Sequence, residues 1–167
     1  MRARHAGRDA RRTKDFEAFV AGAGGRLTQT ATLLTGEPSD DNPRARRLLT
    51  HALAHTYACW DRLHGEDPYD HARRHLAVRF ADTAWHRYAA LGRPRRHLTG
   101  PLAGLTPRER LILVLRLYEG VGEEQVAALL GLPAERVHTL CDRATATVLH
   151  PPPPPSPRPS TAKAAPT

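Results

Sequence analysis

Cysteine, aromatic side chains and long apolar runs are all scarce in this chain. Its two cysteines, Cys59 and Cys141 among 167 residues, are too few and too scattered for a disulfide framework. They read as reduced thiols of a cytoplasmic protein. No apolar run approaches the roughly 18 to 20 residues of a membrane span, so no membrane partner is expected. Arg11-Arg12 has the look of a twin-arginine signal, but Thr13, Lys14, Asp15 and Glu17 follow where an apolar stretch would be required. No Gly-rich phosphate loop, nucleophile elbow or paired carboxylates in a plausible pocket can be found, and an enzyme is not expected. Strand-like alternation is missing as well, which leaves an all-α chain.

What is present is positive charge, unevenly spread. The net charge is +8, and counting Arg and Lys against Asp and Glu gives +5 for residues 1–14 and −4 for 15–42. Residues 43–100 carry +6, whereas residues 101–150 carry −1. A polyanionic partner is implied, and the middle of the chain is where it would be met.

The ends have little to bury. Residues 1–14 read as a disordered basic arm and residues 150–167 as a disordered Pro-rich tail. Pro151 to Pro155 favour polyproline II and stop any helix at His150. A proline-recognition motif is conceivable there; a plain tail is the simpler reading. Between the ends, Phe16, Phe19, Val20, Leu27, Ala31 and Leu34 keep helical spacing across Gly24-Gly25, a pair expected to bend or break the helix. Asn42-Pro43 and Asp67-Pro68 are start signals for two further helices, because proline's missing N–H costs nothing in a first turn. Leu48, Leu49, Ala52, Leu53, Thr56, Tyr57, Trp60 and Leu63 make the apolar stripe of the first. Residues 15–91 thus read as one helical domain.

Residues 92–104, rich in Gly, Pro and Arg, read as a linker to a second domain over 105–149. Thr106-Pro107-Arg108-Glu109 has the form of a capping box with proline at the first helical position. The following LILVLRLY is apolar nearly all round and should be the buried centre of this domain. Then comes VGEEQVAALLGLPAERVHTLCDRA, Val121 to Ala144, with helix-turn-helix spacing. Ala127 is placed where the two helices cross and Gly131 in the left-handed turn, with Val126, Leu130, Leu132, Val137 and Leu140 between the helices. An ordinary αα-hairpin is the bland alternative. On the second helix Arg136, His138, Thr139 and Arg143 are the candidate DNA contacts, offset by Glu135 and Asp142.

The order of these segments, DFEAFV, LLTGE, ALAHTYACWDRL and LTPRERLILVLRLYEGVGEEQVAALLGLPAERV, resembles the extracytoplasmic-function sigma factors. The closest likeness is to the actinobacterial group with a DFEAFV-type first helix. The resemblance spans about residues 15–149 and implies a two-domain partner of core RNA polymerase. A first domain, region 2, would grip the polymerase clamp and help melt promoter DNA. A second, region 4, would place a helix-turn-helix in the major groove. An anti-sigma factor is a further partner class that it implies. The polymerase-facing positions would be Arg46, Arg47, Leu48, Thr50 and His51, where the family usually carries an acidic EDLVQE run. Val78 stands where the family's melting helix often has asparagine. Arg136-Val137-His138-Thr139-Leu140 replaces the usual TVKSR.

Arg73, Arg74, Arg79 and Arg87 share one helix, with Phe80, Trp85 and Tyr88 interleaved. They form either a solvated basic face over an aromatic core or a platform for single-stranded promoter DNA, and family position favours the platform. Arg93, Arg95 and Arg96 would extend it. His51, His55 and Cys59 recur at helical spacing, as do His71 and His75. HALAH and HARRH lack the glutamate of a zinc peptidase, and with ten histidines in the chain no metal or other cofactor is assigned. The expected function is therefore a sigma factor that directs transcription initiation. The alternative is a degenerate, sigma-derived DNA-binding regulator or protein-interaction module that no longer directs polymerase.

Overall fold

The computed structural model describes residues 2–63, 65–91, 98 and 100–151. Six α-helices are present among them: α1 (Arg2–Thr35), α2 (Pro43–Cys59), α3 (Pro68–Leu91), α4 (Pro107–Leu113), α5 (Glu123–Leu130) and α6 (Ala134–Leu149). No strand occurs among the described residues, as the periodicity requires. The tail from residue 152 lies outside them. Helix α6 stops just before the proline run.

Helix α1 is longer than its apolar pattern. It runs back through the basic segment to Arg2 and passes Gly24-Gly25 unbroken. Both differences have a tertiary cause. Phe16 and Phe19 dock on the end of α2, the Phe16 ring lying 4.9 Å from Tyr57 and 5.2 Å from Trp60. Leu27, Ala31 and Leu34 are fully buried on the far side of the glycines. Anchored at both ends, the helix tolerates two residues that would each cost about 1 kcal/mol in isolation. Arg12 anchors the basic stretch, donating to the Tyr57 carbonyl at 2.6 Å and pairing with Asp61 at 3.3 Å.

The start of α2 is capped from a distance. Pro43 is in the first turn as expected, but Asn42 makes no side-chain cap bond. Its amide donates instead to Thr32 Oγ1 at 3.1 Å and to the Ser39 carbonyl at 3.2 Å. Glu37 takes over, accepting from the Arg44 and Ala45 backbone amides at 3.2 and 2.8 Å. A carboxylate on the orphan N–H groups of a first turn is stabilised by both hydrogen bonds and the helix dipole. In α3 the nearby signal works as expected, with Asp67 accepting from the Tyr69 amide at 2.9 Å.

Helices α1, α2 and α3 pack as a three-helix layer, and α4 enters against α1 and α3. The segments expected as two halves, 15–91 and 105–149, meet across one continuous apolar core. Leu34, Leu48 and Leu76 belong to the same buried cluster as Leu111, Ile112, Leu115, Val126, Val137 and Leu140. A smaller cluster of Leu105, Leu113 and Ala144 closes the α4–α6 contact.

Two polar interlocks cross this boundary. Buried Arg110, on α4, donates to the Leu34 carbonyl at 3.1 Å in the last turn of α1, and to the Leu105 carbonyl at 3.1 Å. A cation there meets the negative end of the helix dipole. Gly36 makes this possible: its φ is +64°, and a Cβ would sit 2.9 Å from the guanidinium. The second interlock depends on the end of α4, which continues as one π-helical turn over Val114–Tyr118. The wider turn adds a residue to the helix and turns the Glu119 side chain fully inward. Thr30 and Tyr69 both donate to that carboxylate, the Tyr69 hydroxyl at 2.8 and 3.0 Å. Arg26 at 3.5 Å and Arg73 at 3.9 Å complete the set. Burial, and then the Glu119 carboxylate, push the Tyr69 phenol well above its usual value, so it remains a donor.

Candidate nucleic-acid interface

Helix α5 ends at Gly131, whose φ of +63° is left-handed, and the Leu132 amide returns to the Ala127 carbonyl at 3.0 Å. That bond closes a Schellman-type turn, for which glycine is favoured because a Cβ would be strained. Helix α6 follows after Pro133. Val126, Ala127, Val137 and Leu140 are buried between the two helices, with Leu130 and Leu132 packed against them. The result is a helix-turn-helix with the small residue, the turn glycine and the β-branched residue where the spacing put them.

The capping box before it is complete. The Glu109 amide donates to Thr106 Oγ1 at 3.3 Å, and the Thr106 amide donates to Glu109 Oε2 at 2.9 Å.

Residues 102–148 match the sigma-70 region 4 family. Over 151 residues the chain is 28% identical to the RNA polymerase sigma-E factor of Streptomyces coelicolor, covering 79% of this chain and 82% of the relative. The sigma-E factor of Streptomyces avermitilis is equally similar, 28% identical over the same shares. No solved structure matches. The helix-turn-helix thus lies in a stretch that matches sigma-70 region 4, in a chain similar over most of its length to two sigma-E factors.

The second helix of the motif presents Arg136, His138, Thr139, Asp142 and Arg143 to solvent. Their environments differ. Arg136 has no carboxylate partner among the described residues. His138 is bracketed by Glu123 at 3.2 Å and Asp142 at 3.3 Å. The Thr139 hydroxyl donates to the Glu135 carbonyl at 2.8 Å within its own helix. Arg143 donates through Nε to Glu109 Oε1 at 2.6 Å, so the carboxylate that caps α4 also fixes this arginine. Sequence spacing could show that Glu109 caps; it could not show the 34-residue reach to Arg143.

Burial opposes ionisation of Glu109, but the Thr106 hydroxyl and amide, then Arg143, hold its carboxyl below the usual carboxylate range. Glu37 is likewise lowered against burial by the Ala45 amide and then by Arg44. Both folded values lie below an unfolded value of about 4.3. The stability they contribute is therefore present above that pH and lost as pH falls through the lowered folded values. We expect Glu37→Gln and Glu109→Gln to lessen the acid sensitivity of folding below about pH 4.3, with most of their cost seen near neutrality. Urea midpoints measured across that range test it; an acid limb as steep as that of the unaltered protein would rule both carboxylates out.

On the other half, Arg74 and Arg79 are exposed on α3, with exposed Val78 between them. Neither arginine has a carboxylate partner among the described residues. Phe80 is half-buried against the core and not laid open. Arg73 departs from the expected track: it pairs with Asp70 at 3.0 Å and leans on Glu119, because its position on α3 faces the π turn. The side chains of Trp85, Arg87 and Tyr88, and residues Arg93, Arg95 and Arg96, lie outside the described residues.

The polymerase-facing candidates on α2 separate in the same way. Arg46, Arg47, Thr50 and His51 are exposed. Arg46 donates to Asn42 Oδ1 at 3.1 Å. Leu48 is buried with Ala45 and Ala52 along the inner stripe, so it supports this face from beneath and is not part of it.

Among the described residues, no helix is long and apolar enough to cross a membrane.

Proposed function

We propose that this chain binds core RNA polymerase and promoter DNA and directs transcription initiation in the cytoplasm. The observation that supports this most is the helix-turn-helix of α5, Gly131 and α6, set inside a region 4 match in a chain similar over most of its length to sigma-E factors. Residues 15–91 are the polymerase- and melted-DNA-facing half, residues 105–149 the duplex-facing half, and 92–104 the connection. Arg46, Arg47, Thr50 and His51 face the polymerase. Arg74 and Arg79, with Arg87 further along α3, follow the displaced strand. Arg73 serves them from behind, as part of the Glu119 interlock.

One observation favours a second reading. His138 and Arg143 are both offset by carboxylates on the helix-turn-helix surface, which suits a sigma-derived DNA-binding regulator with weak sequence reading. In either case Arg136 is the residue that reaches base edges, and Thr139 and the free end of Arg143 contact the backbone.

Reconstitution with core polymerase separates the two. Co-elution and promoter-dependent transcripts are expected; duplex binding without co-elution would leave the regulator. Arg74→Ala with Arg79→Ala should reduce the salt dependence of binding to melted promoter DNA, by up to about 0.7 in log–log slope per lost phosphate contact. Arg136→Ala should relax preference at one or two base pairs, while Arg143→Ala weakens binding evenly across sequences. An unchanged salt slope would remove α3 from the DNA path.

A further inference from the structure

Beside its buried stripe, on the edge turned toward α3, α2 carries a side-chain cluster that neither DNA nor polymerase binding explains. His55 and Cys59 stand one turn apart near the end of α2, and His71 is in the first turns of α3. Each offers one donor atom, and the three donors lie within 4.8 Å of one another. We propose that His55, Cys59 and His71 form a binding site for a zinc-class divalent transition-metal ion that pins α2 to α3.

The geometry supports this at three levels. His71 Nε2 and His55 Nδ1 are 3.3 Å apart. Two imidazole ligands at roughly 2.0 Å from a tetrahedral zinc ion would be separated by about the same distance. The Cys59 thiol, within 4.8 Å of both donor nitrogens, would complete a three-donor face by rotation of its side chain.

The donor set is selective. Two imidazoles and a thiolate suit zinc, cobalt(II), nickel(II) or copper, and they are poor ligands for magnesium or calcium. Three protein donors leave a fourth position for water.

The surroundings orient the ligands. Glu66 lies 4.0 Å from His71 Nδ1, on the side away from His55. A carboxylate that closes to hydrogen-bond distance behind a histidine fixes the ring and directs the other nitrogen to the metal, and exposed Glu66 stands one side-chain movement short of that. The His75 ring stacks on His55 with centroids 3.9 Å apart and planes 10° from parallel, which sets the plane of the His55 ring. Arg62 donates to Cys59 Sγ at 3.4 Å, a charge partner for the thiolate once the metal has displaced its proton to solvent. His55 is exposed, so an ion can enter without opening the fold.

The site bridges two helices across the 3₁₀ turn of Trp60–Arg62 and the loop that follows it. Metal binding would therefore stiffen the joint between the polymerase-facing helix and the helix carrying Arg74 and Arg79. The inference stands whether or not the chain directs polymerase.

The test uses the full chain, free of any affinity tag, stripped with a chelator and titrated with cobalt(II). One equivalent should bind, with the intense visible bands of tetrahedral cobalt and a thiolate-to-metal charge-transfer band. Zinc should displace it and raise the thermal midpoint. Cys59→Ser should abolish the charge-transfer band with helicity unchanged, and His71→Ala should weaken binding at least about tenfold, the lower end of what loss of an outer-shell partner costs. His150→Ala, at an exposed histidine outside every proposed site, should change neither. The weak spectrum of octahedral cobalt, or Cys59→Ser and His71→Ala variants that bind as tightly as the unaltered chain, would overturn the proposal. Because helicity and the thermal shift are read on the same samples, a misfolded variant is distinguishable from a lost ligand.

Discussion

Ile112→Ala is expected to destabilise the whole chain by about 2–5 kcal/mol, the range for truncating a fully buried aliphatic side chain. Ile112 has no exposed surface and lies at the centre of the cluster joining α1, α2 and α3 to the helix-turn-helix. Close packing leaves no room for collapse around the lost methyls, so a cavity adds to the lost transfer energy. The more informative expectation concerns cooperativity. Since the two halves share one core, unfolding of α2 and α6 should remain coincident, and both should shift together in the variant. Urea unfolding followed by circular dichroism, with hydrogen exchange resolved by segment, checks this. A shift confined to residues 105–149 would mean that the halves fold independently, and would make the shared core a docked interface.

Glu119→Ala should cost nearly as much, about 3 kcal/mol, the lower part of the range for removing one partner of a buried ion pair. The lower part applies because Arg26 is half-exposed and Arg73 keeps Asp70. What is lost is the acceptor for Thr30 and Tyr69 and the charge partner of Arg73, all from the first half of the chain. Glu119→Gln keeps one acceptor oxygen and should recover part of the loss. The Tyr69 phenol, raised by burial and then by the Glu119 carboxylate, should titrate at lower pH in both variants, and ultraviolet titration reads this directly. If Glu119→Ala unfolds at the same denaturant concentration as the unaltered chain, the interlock contributes nothing to holding the halves together. Arg73→Ala then separates positioning from DNA contact: it should lower stability with little change in the salt slope proposed above for Arg74 and Arg79.

Much of this molecule was legible in its sequence because the relevant signals are local. A three-residue offset defines the Thr106–Glu109 capping box, a 3.6-residue period defines each apolar stripe, and one glycine four residues after Ala127 defines the turn of the helix-turn-helix. Backbone hydrogen bonds and side-chain sterics act over a turn or two, so they fix these features wherever the segment is placed. The sequence by itself also determined the all-α class and the placing of positive charge in the middle of the chain. Long-range contacts were decided by the tertiary structure. Gly24-Gly25 stays helical because both flanks are anchored, and Asn42 yields its capping role to Glu37 across a loop. One wider turn after Leu113 turns Glu119 inward, where it claims Arg73 from the basic face. Leu48 lies under the exposed face of Arg46, Arg47, Thr50 and His51, Arg143 is tethered to Glu109, and His71 meets His55 and Cys59. These outcomes depend on groups beyond the reach of one or two helical turns, and for buried Glu119 and Arg110 burial makes the pairing worth more than any local preference could, because a desolvated charge must find its partner wherever the fold brings one.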